Sequence, residues 1–165
     1  MTEEKTRVWE KGTANPIPDN KYERFKEKLV ELSKRYADRN LTLFLLARAT
    51  GYRMQDLVEL NIGQIKDFLD KGYFEIQEAK QYNQWLTEVA KDPNRKKPEK
   101  RKAKIGPRLE KQLKNYIKGK KRSDFAFPSN KGKGNESITQ KSFSDILNKT
   151  GKAIGLEHIT GHSPR

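Results

Sequence analysis

The stretch Leu45-Leu46-Ala47-Arg48-Ala49-Thr50-Gly51-Tyr52-Arg53-Met54-Gln55-Asp56-Leu57-Val58-Glu59-Leu60 holds the change of pattern that decides the fold. It opens inside Leu41-Thr42-Leu43-Phe44-Leu45-Leu46-Ala47, which is apolar nearly all round, as expected of a helix buried at the centre of a domain. Gly51 follows, a residue able to take the left-handed conformation in which helices commonly end. Arg53 then stands one residue beyond a buried turn, and a further helix is expected over Gln55 to Leu60.

Upstream, Tyr22, Phe25, Leu29, Leu32 and Tyr36 recur every three or four residues, which predicts one amphipathic helix from Lys21 to Ala37. Residues 1–20 carry no apolar period, and Asn15-Pro16-Ile17-Pro18-Asp19 reads as an extended lead-in. Downstream, Gly72-Tyr73-Phe74-Glu75-Ile76-Gln77 alternates as a strand does, with a return strand expected near Lys102 to Ile105. Residues 91–104 hold eight Lys or Arg against two acidic residues, a balance of 8 − 2 = +6, and Pro93 and Pro98 mark them as a mobile basic loop. Leu109, Leu113, Tyr116 and Ile117 share a helical face that stops at Gly119. After a short apolar piece, Phe125 to Pro128, the turn 131–135 offers Lys131 and Lys133 to a phosphate. The last helix runs from about Gln140 to Ile154, capped by Thr139, with Phe143, Ile146, Leu147 and Ile154 as its stripe and Gly155 as its end. The fold class expected is mainly α with a small antiparallel sheet, α+β.

Composition narrows the partner. The 36 Lys and Arg against 22 Asp and Glu give a net charge of +14, and the pI is about 9.9. That is the footprint of a polyanion binder, with nucleic acid the default ligand. The absence of cysteine removes disulfides and thiolate zinc sites, and His158 and His162 are too few for a histidine cluster. Any catalysis is therefore expected without a cofactor or bound transition metal. No apolar run reaches the roughly 20 residues that span a bilayer, so a cytoplasmic protein without membrane contact is expected.

The order of these pieces resembles the catalytic domain of the tyrosine recombinase, or phage integrase, family, in particular integrases of Gram-positive bacteria and their phages. Leu45 to Leu60 looks like the family's A-T-G-L-R-x-x-E/D-L-x-x-L segment around its first catalytic arginine. Lys80 falls after the strand where the family has its hairpin lysine, with Lys102 and Lys104 as competitors across the hairpin. His162-Ser163-Pro164-Arg165 looks like the H-x-x-R box. The resemblance covers about residues 20 to 165, so 1–20 is taken as lead-in and 21–165 as a partial catalytic domain, incomplete at the C-terminus.

The resemblance implies DNA breakage and rejoining through a 3′-phosphotyrosine. Energy of the phosphodiester is kept in the covalent intermediate. Arg53 and Arg165 would hold the charge that builds on the phosphate, Lys80 would protonate the leaving 5′-oxygen, and His162 would assist. Arg95, Lys96, Lys97, Lys100, Arg101, Lys102, Lys131 and Lys133 are the expected DNA contacts. The family's nucleophilic tyrosine follows the H-x-x-R box, whereas Tyr22, Tyr36, Tyr52, Tyr73, Tyr82 and Tyr116 all precede it. The 165 residues are accordingly expected to bind double-stranded DNA without cleaving it, as part of a chain that forms homo-oligomers on DNA. A non-catalytic DNA-binding module or relic is the alternative. Trp9 and Trp85 fit the covering of apolar surface as well as stacking on a base, and neither is assigned a role.

Overall fold

The structure, a computed structural model, describes residues 14–131 and 136–164. Lys133 and Arg165 lie outside them. The domain is mostly helical with one two-stranded antiparallel sheet, so the expected class holds. Helix α1 spans Tyr22–Ser33, α2 Ala37–Thr50, α3 Met54–Val58 and α4 Ile62–Lys71. Strand β1 is Tyr73–Ile76, α5 Ala79–Val89, β2 Arg101–Lys104, α6 Pro107–Ile117 and α7 Gln140–Ala153.

Helix α2 is the centre. Thr42, Leu43, Phe44, Leu46 and Ala47 are fully buried, each apolar one removing its side chain from water at a gain of about 1.5–3 kcal/mol for the larger residues. α1 and α6 pack against it, while α7 lies on α1 and α3. Phe25 and Phe44 stack at 5.2 Å between ring centroids. Gly51 closes α2 at φ 68°, the conformation the sequence demanded of it.

The single helix expected over 21–37 is broken. Lys34 takes φ 54° and ψ −121°, and Asn40 Nδ2 donates to Ser33 Oγ across the break. The chain redirects there, so the stripe is buried only as far as Leu29, and Leu32 stays 47% exposed. The lead-in is tied to the body at its described end: Asn15 N–H donates to the His158 carbonyl and Ile17 is buried. The second helix after Gly51 begins at Met54 and ends at Val58, earlier than expected at both ends. Helix α4 was not read from the pattern. It opens with a capping box in which Asn61 and Gln64 exchange side-chain and backbone hydrogen bonds, and its Ile62, Ile65 and Phe68 face the core.

The sheet pairs Tyr73 with Lys104, Phe74 with Ala103, Glu75 with Lys102 and Ile76 with Arg101. Residues 91–104 are therefore not one loop, because 101–104 complete the hairpin and recover part of the expected return strand. Between the strands stands α5, a helix that the sequence reading left out, although Tyr82, Trp85, Leu86 and Val89 recur at helical spacing. Phe125 and Pro128 bridge to Asn61 and Ser137, and the hydroxyl of Tyr116 donates to the Ala126 carbonyl. α7 runs as expected, with Thr139 Oγ1 accepting from Ser142 N–H at its start.

Candidate nucleic-acid interface

Arg53 owes its position to the two residues before it. Gly51 stops α2, and Tyr52 drops its ring wholly into the core, its hydroxyl donating to the Arg101 carbonyl at 2.7 Å. Arg53 is then extended, at φ −69° and ψ 143°, before the chain re-enters a helix at Met54. Its side chain is 35% exposed, and its Nε lies 3.8 Å from Glu78 Oε2. Burial pushes the Tyr52 hydroxyl up to about 12, against the lowering effect of the Arg101 guanidinium.

Glu78 is the residue that sequence reasoning missed. It is buried, and its Oε1 accepts from Arg101 Nη1 at 3.1 Å. One carboxylate thus faces two guanidinium groups whose outer surfaces remain open to solvent. Arg101 sits on the Ile76 side of the sheet, facing the core, because directly paired residues point to the same face. Its guanidinium also lies 5.2 Å from the centre of the Tyr52 ring. Nothing in the local sequence singles out this glutamate; only the hairpin brings Ile76 and Arg101 opposite each other.

The His162 turn is held from α7. Ser144 Oγ accepts from Gly161 N–H at 3.0 Å, Asn148 Nδ2 donates to the Ile159 carbonyl, and Thr160 N–H donates to Ser163 Oγ. A Cβ built on Gly161 would lie 3.5 Å from Met54 Cβ. The turn that carries His162 therefore packs on the residue next to Arg53. Met54, Gln140, Lys141, Ser144, Gly161 and His162 line one cavity of about 430 Å³; His162 is exposed, and the next two residues, Ser163 and Pro164, are buried. Gly151 makes this arrangement possible, since a Cβ there would meet Ile159 Cγ1 at 2.7 Å.

Lys80 is exposed in the first turn of α5, two residues from Glu78. The N–H of Ala79 beside it donates to Asp56 Oδ1. Lys102 and Lys104 point to the opposite face of the sheet from Arg101, and Lys102 pairs there with Glu75 at 3.7 Å. Lys100 lines a separate cavity of about 330 Å³ with Asp56 and Gln77, and the buried side-chain amide of Gln77 has no hydrogen-bond partner among the described residues. Arg95, Lys96 and Lys97 stand on the excursion between the strands. Lys131 is exposed on the segment after Pro128, whose carbonyl the buried Arg39 holds at 2.9 Å. His158, at φ 57°, is a turn residue. Among the described residues no group of three or more His, Asp or Glu is placed to hold a metal, and no helix is long and apolar enough to cross a membrane.

The pair of half-open arginines, Arg53 and Arg101, thus stands beside the turn that carries His162. The model of the phage integrase family matches residues 19–165, and the chain belongs to that family, the tyrosine recombinases of DNA integration and recombination. No curated protein and no solved structure matches the chain.

Proposed function

We propose that residues 21–165 form the phosphate-binding part of an integrase catalytic domain that acts on double-stranded DNA, with 1–20 leading into it. Arg53 and Arg165 clamp the non-bridging oxygens of the scissile phosphate with fixed charges. His162 hydrogen-bonds the same phosphate, and Lys80 protonates the departing 5′-oxygen. The observation that carries this reading is the packing of Gly161 on Met54, which sets the Arg53 turn beside the His162 turn from more than a hundred residues away in sequence. The position of Lys102 and Lys104 behind the sheet favours Lys80 among the three lysines.

None of the six tyrosines lines the His162 cavity. Tyr52 and Tyr116 bury their rings and give their hydroxyl protons to backbone carbonyls, and burial raises both pKa values. A buried phenol held protonated is a poor nucleophile, which supports DNA binding without strand cleavage by these 165 residues. Homo-oligomers on DNA, as in the family, complete the reading. The test is a duplex with a nicked suicide site. Binding without a covalent adduct is the expected outcome, whereas an adduct trapped by residues 1–165 would overturn the reading that none of the six tyrosines is the nucleophile. Retained binding by Arg53→Ala with an unchanged salt slope would remove the phosphate clamp.

A further inference from the structure

Residues 77–100 leave the sheet opposite Arg101 and return to it, and beyond the buried Glu78 at their root they add no buried residue to the core. No side chain of α5 is buried. The excursion instead holds itself together: Trp85 Nε1–H donates to the Arg95 carbonyl at 3.0 Å, and the Arg95 guanidinium pairs with Glu88 at 2.7 Å. The Tyr82 and Trp85 rings lie 5.6 Å apart, and Lys97 Nζ is 5.4 Å from the centre of the Tyr82 ring. The return segment thus covers the aromatic side of α5. What remains outward is a polar face, with Lys80, Asn83, Gln84 and Thr87 all exposed at helical spacing.

We infer that this arm is a DNA-reading element, in which the outer face of α5 enters the major groove of duplex DNA next to the phosphate held at Arg53. The inference rests on the function proposed above and adds the residues that choose the sequence. Three observations carry it. The arm is rooted at Glu78, the residue that faces Arg53 and Arg101, so a duplex seated on that cluster passes the arm. Helix α5 is about 16 Å long and no wider than the major groove. Its outer face carries the carboxamides of Asn83 and Gln84, the groups that match adenine in the major groove; the Gln84 amide donates to Glu88 Oε1 at 3.3 Å, an exposed contact that a base edge would replace, while Lys96 and Lys97 on the exposed return segment supply sequence-independent phosphate contacts.

A randomised duplex library selected on the 165-residue chain, compared with Asn83→Ala, Gln84→Ala and the double variant Lys96→Gln/Lys97→Gln, tests it. Circular dichroism confirms that each variant is folded. The wild type should enrich a motif, and Asn83→Ala or Gln84→Ala should relax that motif at particular positions, with a loss of roughly ten- to hundredfold in discrimination there. The double lysine variant should weaken binding to every sequence alike and flatten the salt slope by about 2. A motif that survives both amide substitutions, or enrichment of no motif by a chain that binds duplex DNA, would overturn the reading role while leaving the phosphate site intact. Preference for single strands would overturn it as well. A wild-type chain that bound no DNA would defeat the proposed function itself, and the arm's role with it.

Discussion

Helices α2 and α5 stand at opposite extremes of one small domain. α2 buries eight of its residues and α5 buries none, yet the residues proposed to handle a phosphate lie where the two regions meet. α2 delivers Arg53 through Gly51 and Tyr52, and the root of α5 delivers Glu78 and Lys80. The difference shows a division of labour. The buried helix sets position, and the unburied helix, free of packing demands, can carry polar residues for a ligand.

The comparison breaks most sharply under truncation of side chains. Phe44→Ala in α2 should cost about 3–5 kcal/mol, since a fully buried ring leaves a cavity. Leu86→Ala in α5, at 45% exposure, should change stability by no more than about 0.5 kcal/mol. Urea unfolding followed by circular dichroism measures both, and similar losses would mean that α5 belongs to the core after all.

Glu78→Gln probes the junction. Loss of the buried charge between Arg53 and Arg101 should destabilise the fold by about 1–3 kcal/mol. Both guanidiniums should then move more freely, so DNA binding should persist with altered affinity. Abolished binding in a folded Glu78→Gln chain would make the carboxylate a required contact rather than a group that positions the arginines.

A smaller effect is expected from pH. The unfolded chain releases the Tyr52 proton near pH 10, while the folded chain keeps it to about pH 12. Between these values the unfolded state binds fewer protons, so stability should fall as pH rises through that window and should be insensitive to this group below it. Tyr52→Phe, which cannot titrate, should show a shallower alkaline decline than the wild type in thermal unfolding. Tyr116, also raised by burial, contributes with the same sign.

How much of this was legible in the sequence follows the same division. α2, the Gly51 stop, β1 and α7 were readable because burial imposes a pattern on adjacent residues. The break at Lys34 was not, since the apolar spacing continues through Leu32 and Tyr36 while the backbone turns away. α4 was marked only by its capping box, and α5 was obscured by its polar surroundings and by the prolines after it. For the site, Arg53 and His162 could be named from local motifs, although only the fold shows their turns in contact. Glu78 is invisible locally, because its partners are set by the register of a hairpin whose strands lie 25 residues apart at Ile76 and Arg101. The same register separates Arg101 from Lys102, which the sequence grouped together as one basic stretch.

The most direct measurement of the central claim is the affinity of the chain for duplex DNA across a series of salt concentrations, for the wild type and Arg53→Ala. A phosphate clamp predicts that log K falls linearly and steeply with log salt in the wild type, and that the slope becomes shallower by about 1 in the variant. Affinity indifferent to salt, or a slope that Arg53→Ala leaves unchanged, would contradict it.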